Sequence, residues 1–336
     1  MSMEQRQHTI TFLTPAFLGD ARQNAAWRTP PFKAELRRWW RMAIASHGHD
    51  LATVRRLEGE LFGDAAGNSG KRSALRLRLN AWKRHTEPDW HLAVDRNQLR
   101  MTSGLSAAGY LGFGRAETQR KETDRKTDPA IPAGESATLR MAWPAGDDND
   151  ALEQALGLMH RFGTVGGRNR NGWGSYEIES PPKIHLDRYL VDWRDAVNNH
   201  DWTIGVGRDK AGPLVWQTRP QRSWEGAIRV LAEVRKALCG EAKQQGRRPL
   251  LSYPVTKGNR PDWDKLSARI PSSLRFKVIK GEKGLHGQIA HVPCGPADFL
   301  RQKFTAQEEA RFPDLWEACH ELLDDEFQKD LQRVSQ

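Results

Sequence analysis

Apolar and polar residues follow one another in a regular order of strand-like and helix-like segments through the first half of the chain. Apolar–polar alternation in residues of β-forming type predicts strands at 8–13, 74–82, 137–143 and 175–178. Apolar residues spaced three to four apart predict helices at 32–46 and 150–162. Strand, helix, two strands, helix and strand is the split βαβ order, in which two helices cover one face of an antiparallel sheet. The pattern therefore predicts a ferredoxin-like (RRM-like) domain over residues 1–182.

Pro181-Pro182 marks a domain boundary, and a second set of elements follows it. Helices are predicted at 189–202, 224–238 and 313–334. Strands are predicted at 250–255, 274–279 and 286–292. The predicted fold class is thus α+β, with two ferredoxin-like domains whose antiparallel sheets are covered by helices. The second domain would span residues 183–336 and end in a long acidic helix.

The helix at 32–46 combines an apolar face with a basic flank. Its apolar face consists of Leu36, Trp39, Trp40, Ala43 and Ile44. Its basic residues are Lys33, Arg37, Arg38 and Arg41. Three of them are spaced i, i+4, i+8 and so line one side of the helix. An ordinary solvated face mixes charges of both signs, whereas Glu35 is the only acid here. This favours a flank that faces nucleic acid over a plain solvated surface.

A glycine- and arginine-rich stretch at 161–176 follows the second predicted helix. It contains Gly163, Gly166, Gly167, Gly172 and Gly174 together with Arg161, Arg168, Asn169, Arg170 and Asn171. Glycine allows a positive φ and close backbone approach, so exposed N–H groups can hold anionic oxygens while arginines add charge. The alternative is a glycine-capped helix that runs into a tight turn. The interleaved arginines favour a polyanion-binding loop. Trp173 is a candidate for stacking on a base, although packing under the loop is favoured.

The charge distribution indicates a polyanionic partner. The 336 residues include 52 Lys and Arg against 42 Asp and Glu, a net charge of +10. Residues 306–336 hold nine acids and three bases, so this segment carries −6 and the remainder +16. Such an excess favours nucleic acid as the partner. The acidic end is interpreted as an ordinary solvated helix, with a face that docks a basic neighbouring subunit as the alternative.

Signatures of cofactor and metal sites are missing from the sequence. There is no Gly-x4-Gly-Lys-[Ser/Thr] phosphate loop, and Gly172-Trp-Gly174 lacks the third glycine of a dinucleotide fingerprint. His47 and His49 are interpreted as surface residues rather than as metal ligands. We therefore expect no cofactor, no metal and no small-molecule substrate.

The sequence also argues against a secreted or membrane protein. No apolar stretch approaches the roughly 18 residues that a membrane span requires, and the polar N-terminus lacks an apolar signal region. Cys239, Cys294 and Cys319 are odd in number and far apart, so a disulfide framework is not expected. These features predict a cytoplasmic protein.

Several stretches together resemble a known family. Residues 28–41, Arg-Thr-Pro-Pro-Phe-Lys-Ala-Glu-Leu-Arg-Arg-Trp-Trp-Arg, are similar to a Trp-Trp motif of the RAMP subunit at the head of the type III-B CRISPR (Cmr) complex. Further similar segments are 61–63, 110–114, 250–254 and 271–276. Residues 162–176 resemble the glycine-rich loop that RAMP proteins share. One departure is Ala34-Glu35, which stands where a glycine and a small residue are more usual.

The resemblance implies a non-catalytic RNA-binding subunit of an RNA-guided, RNA-targeting complex, located near the 3′ end of the guide. Its partners would be the guide crRNA, the target RNA and other RAMP subunits, and a different subunit would cleave the target. Carried over residue by residue, the implied RNA-binding residues are Lys33, Arg37, Arg38, Arg41, Gly166, Gly167, Arg168, Asn169 and Arg170. Such residues would hold duplex RNA through phosphates and 2′-hydroxyls, largely without sequence preference.

Two other functions stay open at this point. RAMP folds also carry metal-independent endoribonucleases that process guide RNA, and such an enzyme would need a general base near the scissile phosphate. His8, His160 and His286 are the candidates for that base. A structural assembly subunit with an incidental basic surface is the other possibility. The charged segment 115–129 lacks apolar periodicity and is predicted to be a mobile excursion.

Overall fold

Two four-stranded antiparallel sheets with helices packed on them organise the chain as a mixed α+β fold. The computed structural model describes residues 2–22, 24–64, 70–116, 127–146, 149–255 and 260–334. The strands are β1 (Met3–Phe12), β2 (Ala25–Ala26), β3 (Arg76–Leu79), β4 (Arg84–His85), β5 (Ser136–Pro144), β6 (Tyr176–Ile178), β7 (Leu190–Asp192), β8 (Val206–Asp209), β9 (Gly212–Pro213), β10 (Val215–Thr218), β11 (Leu274–Gly281), β12 (Gly284–His291) and β13 (Leu331–Arg333). The helices are α1 (Thr29–Ala45), α2 (Leu51–Phe62), α3 (Ala107–Leu111), α4 (Asn149–Phe162), α5 (Trp193–Asn199), α6 (Trp224–Gln244), α7 (Arg248–Leu251), α8 (Pro261–Lys265), α9 (Asp298–Arg301) and α10 (Ala306–Asp325). Single 3₁₀ turns occur at Asp89–His91 and Leu186–Tyr189.

The first sheet has the strand order β3-β5-β1-β6, with every neighbouring pair antiparallel. Its central strand β1 pairs with β5 from Met3 opposite Pro144 to Thr11 opposite Ser136. Alternate residues such as Ile10 and Leu139 are buried beneath α1 and α4, and the residues between them face away from the helices. The predicted order of strands and helices in this half is confirmed.

Helix α1 begins with two prolines in its first turn, where their missing N–H groups cost no hydrogen bond. Its buried side includes Phe32, Leu36, Trp39 and Trp40, and it packs on α4. The Trp39 ring stacks on Phe162 at the end of α4, with ring centroids 5.8 Å apart. The predicted apolar face of the helix is therefore the face that meets the rest of the core.

The second sheet repeats the arrangement of the first. Its strand order is β11-β12-β10-β13, again antiparallel throughout. Helix α6 follows β10, and α10 precedes β13, so strands and helices follow the same order along the chain as in the first half. Helix α6 packs on β12 and contacts α10.

The two halves meet along β11 and the glycine-rich stretch. The Val278 N–H of β11 donates to the Ser175 hydroxyl at 2.8 Å, and the Gln288 side chain donates to the Arg161 carbonyl at 2.8 Å. Each of the two main apolar clusters draws buried residues from both halves of the chain. A predicted boundary after residue 182 falls between β6 and the next 3₁₀ turn, and its status as a domain boundary stays a prediction.

Of the predicted elements of the second half, the strand at 250–255 is wrong, and the helices at 189–202 and 313–334 are present with different bounds. Residues 250–255 form the end of α7 and an irregular segment, in which Tyr253 pairs with Ile270 only as an isolated bridge. Residues 189–202 split into β7 and α5 because the Asp192 side chain caps the N–H groups of Arg194 and Asp195. The last helix starts at a capping box, Thr305 with Glu308, and ends at Asp325 so that β13 can pair with β10.

The predicted excursion at 115–129 lies largely outside the described residues, which stop at 116 and resume at 127. Its two ends are joined, since the Asp128 N–H donates to the Arg115 carbonyl at 2.7 Å and the two side chains form an ion pair of 2.7 Å. No helix in the described ranges is long and apolar enough to cross a membrane.

Candidate nucleic-acid interface

The glycine-rich loop leaves α4, turns, and returns to β6 as a closed structure. Thr164 and Ser175 pair as an isolated bridge, and the Val165 N–H donates to the Gly174 carbonyl at 3.0 Å. Gly174 has a φ of +62°, and a Cβ at this position would lie 1.8 Å from the Val165 carbonyl oxygen. Only glycine fits there. This glycine therefore maintains the closed shape of the loop.

Both halves of the molecule hold the outer part of the loop. The Gly167 N–H donates to the Phe17 carbonyl at 2.9 Å on the side of the first sheet. On the other side, the Phe276 N–H at the start of β11 donates to the Arg170 carbonyl at 3.0 Å. The Arg170 guanidinium also donates to the Ser272 carbonyl at 3.1 Å. The tip of the loop is thus fixed in place before any ligand binds.

Donor groups concentrate at this tip. The backbone N–H groups of residues 168, 169 and 170 donate to no described residue. Arg168 has a φ of +56°, and the Asn169 side chain closes the turn by donating to the Thr164 carbonyl at 3.1 Å. Consecutive N–H groups in such a turn form a concave site that favours anions.

The tip lines a cleft of about 1030 Å³ between the two halves. Other walls come from residues within 104–113, from α6 and α7, and from residues 252–255 and 269–272. Five arginines line the cleft: Arg168, Arg170, Arg235, Arg248 and Arg269. None of the described residues that line it is an aspartate or a glutamate. We refer to this feature as the arginine cleft.

The five arginines of the cleft form no ion pair with any carboxylate in the described part of the chain. Arg235 and Arg248 instead donate to the hydroxyl of Ser252, at 3.4 and 3.0 Å. Arg269 is exposed. A phosphate could therefore bind these guanidinium groups without first displacing an internal carboxylate.

Burial and neighbouring charges lower the pKa of two arginines of the cleft. Burial lowers the pKa of Arg170 and the nearby Arg38 lowers it further, whereas Cys294 and Glu35 partly oppose the shift. Burial likewise lowers the pKa of Arg168, with a contribution from Arg115. Arginine still stays protonated at neutral pH, so the cleft holds charged guanidinium groups that are partly removed from water.

Two aromatic residues near the cleft differ in exposure. Phe113 lines the cleft and is 52% exposed, so its ring can contact a base. Trp173 is fully buried and packs against Phe17 and Trp90, with ring centroids 5.2 and 5.6 Å apart. The favoured interpretation of Trp173 as a packing residue is confirmed. Its inclusion among the RNA-binding candidates needs correction, because no face of its ring reaches the surface.

Two buried carboxylates, Glu58 and Glu35, pair with three of the four basic residues on the flank of α1. Arg37 and Arg41 both bind Glu58 of α2, and Arg41 does so through two hydrogen bonds of 2.6 Å. Burial alone would raise the pKa of Glu58, but the hydrogen bonds from Arg41 and Arg37 outweigh it and lower the pKa below its ordinary value. Lys33 forms no ion pair with the residues that the structure describes. The predicted spacing is present, but two of its arginines share one carboxylate and join α1 to α2.

Glu35, the residue that departs from the family pattern, lies at the centre of a buried ionic cluster. It is 3% exposed and accepts hydrogen bonds from the Arg38 guanidinium, from Trp39 Nε1 at 2.8 Å and from the Thr164 N–H at 3.3 Å. The guanidinium of Arg275 on β11 lies 3.7 Å away. One carboxylate therefore joins α1, the glycine-rich loop and the second half of the chain.

The geometry of the loop and cleft agrees with a family assignment. A family model of the RAMP superfamily matches residues 9–177, which is half of the chain and includes α1 and the glycine-rich loop. The chain belongs to the RAMP superfamily. A comparison with curated protein sequences gives no match.

Solved structures extend the likeness of this RAMP protein to its second half. The apo crystal structure of Cmr1 from Pyrococcus furiosus is similar with a TM-score of 0.51 and 15% identity, over 94% of this chain and 96% of that one. A chain in the cryo-EM structure of the type III-B Cmr-beta complex bound to cognate target RNA gives a TM-score of 0.49 and 12% identity, over 95% and 100% of the two chains. The first likeness shows a fold shared along nearly the whole chain.

The candidate histidines of this RAMP protein lie apart from one another and outside the arginine cleft. His8 is on β1, and burial lowers its pKa. His160 ends α4, where its Nδ1 accepts a hydrogen bond from the Ile178 N–H at 3.0 Å and burial lowers its pKa to about 4. His286 is on β12, with Nδ1 2.7 Å from the Thr218 carbonyl. The structure brings none of them to a shared site.

Metal ligands are not clustered in the described ranges, where no three His, Cys, Asp or Glu side chains are placed to hold an ion. His47 and His49 are both exposed after α1, with ring centroids 6.4 Å apart. The three cysteines are free thiols.

Sequence reasoning misses Arg235, Arg248 and Arg269, because each stands on a different element and shares no spacing with the others. One signal does point to them. Parts of the family-like segments 110–114, 250–254 and 271–276 line the arginine cleft together with the loop tip. Their convergence would direct attention to neighbouring basic residues.

Proposed function

We propose that this RAMP protein is a non-catalytic RNA-binding subunit of a type III-B CRISPR (Cmr) effector complex, at the head of the complex near the 3′ end of the guide. Family membership, the likeness of its fold to Cmr1 and the sequence resemblance at residues 28–41 support the proposal. The arginine cleft carries it, because five unpaired guanidinium groups and free loop N–H groups face a space that no described carboxylate lines.

The cleft suits an RNA backbone. Guanidinium and backbone N–H groups are the usual partners of phosphate oxygens, and contacts of this kind position a protein without reading sequence. Serine hydroxyls that line the cleft can pair with 2′-hydroxyls. Guide crRNA and target RNA are the proposed ligands, and other RAMP subunits are the proposed neighbours. Arg168, Asn169 and Arg170 are kept from the sequence-based set, and the arginines of α6, α7 and the segment before β11 join them.

The two halves, divided after residue 182, are proposed to be two ferredoxin-like units. Their identical strand order and element order support this division. The arginine cleft then lies between the units, which is where ligand sites of two-domain proteins are often found.

A metal-independent endoribonuclease is the weaker alternative. Such an enzyme needs a general base within hydrogen-bonding reach of the attacking hydroxyl. The candidate histidines lie on separate elements, and none lines the arginine cleft. A nuclease would therefore have to act at a different surface from the one that is built to hold phosphates.

The proposal is tested with the triple variant R168Q/R248Q/R269Q, which removes three cleft charges and leaves the loop backbone intact. Each lost phosphate contact flattens the slope of log affinity against log salt by about 0.7–0.9. We expect affinity for a labelled RNA to fall about 100-fold near 0.1 M salt and the slope to flatten by about 2. Fluorescence anisotropy over a salt series measures both quantities.

A matched control is R55Q/R188Q/R208Q, which removes three exposed arginines that do not line the arginine cleft. It should retain most of the affinity. Equal losses in both variants would mean that net charge alone attracts RNA and would overturn the cleft as the site. Incubation of the wild-type protein with repeat RNA in EDTA addresses the alternative, and site-specific cleavage would overturn the non-catalytic assignment.

A further inference from the structure

The first sheet has an outer face that neither α1 nor α4 covers. Helix-facing residues alternate with residues that point away, so the side chains of Arg76, Arg78 and Arg140 share the outer face. All three are exposed. The neighbouring positions on β1 are the neutral Gln5 and Gln7.

Two of these arginines stand directly opposite each other. Arg78 of β3 is paired in register with Arg140 of β5. Directly opposed residues of an antiparallel pair have Cβ atoms about 5 Å apart, and like charges at such positions are destabilising. Neither guanidinium forms an ion pair with the described residues.

The charged row continues to the edge of the sheet. Arg72 and Arg76 line a shallow hollow of about 440 Å³, together with Met3 and Pro144. As in the arginine cleft, none of the described residues that line it is acidic. The two described cavities of this protein thus share arginine linings without carboxylates.

Acidic residues on this face lie two strands away from β5: Glu177 on β6, and Glu179 just after it, beside Thr9 of β1. Glu177 lies on β6, two strands away from β5 and four residues further along the register. These offsets correspond to about 10 Å across the strands and about 13 Å along them. Glu177 also pairs with Lys280 at 3.4 Å. It therefore leaves Arg78 and Arg140 uncompensated.

Several other arginines of this chain are paired with carboxylates: Arg6 with Glu153, Arg37 and Arg41 with Glu58, Arg194 with Glu317, Arg260 with Glu308, and Arg333 with Asp209 and Asp324. An opposed, unpaired arginine pair on the surface of a sheet lowers stability, which is a feature expected where a ligand is to be bound. We propose that the outer face of β3 and β5, with Arg72, Arg76, Arg78 and Arg140, binds the phosphate backbone of RNA as a second site.

An RNA backbone fits this face better than an acidic protein does. Arg76 and Arg78 project from positions about 6.8 Å apart along the strand, a spacing comparable to that of successive phosphates in a single strand. Protein interfaces have an apolar core that is depleted of charge. Here the row is bordered by glutamine and threonine, and the large apolar residues among those that line the hollow are Met3, Pro144 and the buried Leu75.

The second site is tested with R78Q/R140Q, which leaves all residues of the arginine cleft in place. We expect RNA affinity near 0.1 M salt to fall about 10-fold or more and the slope against log salt to flatten by about 1.5. We also expect the melting temperature to rise by about 1–3 °C, because the opposed charges are removed. Anisotropy with a labelled oligouridine and thermal unfolding measure the two effects. Weaker binding by a protein that is no less stable cannot result from unfolding.

Two further variants complete the test. R188Q/R208Q removes two exposed arginines of the second half and should bind as the wild type does. R78K/R140K keeps both charges and should retain most of the wild-type affinity for RNA, even if R78Q/R140Q changes in stability.

Wild-type affinity and slope in R78Q/R140Q would overturn the proposal. A variant that keeps RNA affinity but loses a neighbouring protein subunit on co-purification would overturn it in favour of a protein-docking face. Because R168Q/R248Q/R269Q reports on the cleft alone, either site can fail without the other.

Discussion

The arginines of α1 and those of the arginine cleft are the same residue type in two different settings. Arg37 and Arg41 of α1 share the buried Glu58, and Arg38 binds the buried Glu35. The five cleft arginines bind hydroxyls and carbonyls or have no described partner. The first group joins helices and loop within the protein, whereas the second group retains its charge for an external anion.

This difference shows what residue spacing reveals and what it leaves out. An i, i+4, i+8 series fixes the side of a helix on which cations lie. It does not identify the carboxylate that a neighbouring helix places against them. Glu58 comes from α2, which is a separate segment of sequence, and only the packing of α1 on α2 brings it to Arg37 and Arg41. Basic residues become candidates for RNA binding only after their internal partners are known.

The largest expected effect belongs to E35Q, which removes the anion at the centre of the cluster. Glutamine keeps the shape of the side chain, but it leaves the Arg275 guanidinium buried, at 5% exposure, without a negative partner. Loss of one member of a buried ion pair costs about 3–5 kcal/mol. We therefore expect the free energy of unfolding to fall by about 3–4 kcal/mol, as measured by urea denaturation.

E60Q is the control for that experiment, because Glu60 is 46% exposed and pairs with Arg56 at i, i+4 on the surface of α2. Its loss should cost less than about 0.5 kcal/mol. If E35Q changes stability as little as E60Q does, Glu35 does not join the two halves in the way that its contacts indicate.

Much of the fold follows from sequence pattern in physical terms. The alternation in β5 and the three-to-four spacing in α1 are direct consequences of burying one face, so both elements are found where the pattern puts them. Short elements fail because their stability comes from partners. Residues 250–255 have β-forming side chains but no neighbouring strand, whereas β13 exists only because β10 offers it an edge.

The candidate site divides in the same way. The glycine-rich loop could be predicted because its glycines and arginines are contiguous in sequence. The arginines of α6 and α7 could not be predicted, since only the packing of the second half against the loop brings them to the same cleft. Glu35 is predicted only as a departure from the family pattern, and its role depends on Thr164 and Arg275, which are distant in sequence.

A smaller effect is expected from R37Q/R41Q, which separates internal pairing from RNA binding. Glu58 is left buried without its two partners, but both guanidinium groups are partly exposed, at 38% and 39%, so solvent screens part of the loss. We expect a cost of about 1–2 kcal/mol in unfolding free energy, with an RNA salt slope equal to that of the wild type.

The same variant should alter the response to acid. Because the arginines lower the pKa of Glu58 in the folded protein, their contribution is present above the ordinary carboxyl pKa and is lost as pH falls through the lowered value. The difference in stability between wild type and R37Q/R41Q should therefore shrink toward low pH. A flatter RNA salt slope at unchanged stability would instead place these arginines on the RNA surface.

The smallest effect concerns Lys277. Like Arg275 beside Glu35, it is buried, and like the cleft arginines it forms no ion pair with a described carboxylate. It is 1% exposed, and its ammonium group donates to the His160 carbonyl and lies 4.7 Å from the centre of the Tyr176 ring. Burial lowers its pKa to about 7, although Glu35 and Glu177 raise it.

The unfolded chain then binds more protons than the folded one above about pH 7, so stability should increase as pH rises from 7 toward the ordinary lysine pKa. His160 has a pKa of about 4 and stays neutral over this range. Relative to K277M, the wild type should gain about 1 kcal/mol in unfolding free energy between pH 6.5 and 8. Denaturation of both proteins at these two pH values measures the gain. A difference that does not change with pH would mean that Lys277 keeps one charge state throughout, as the arginines of the cleft do.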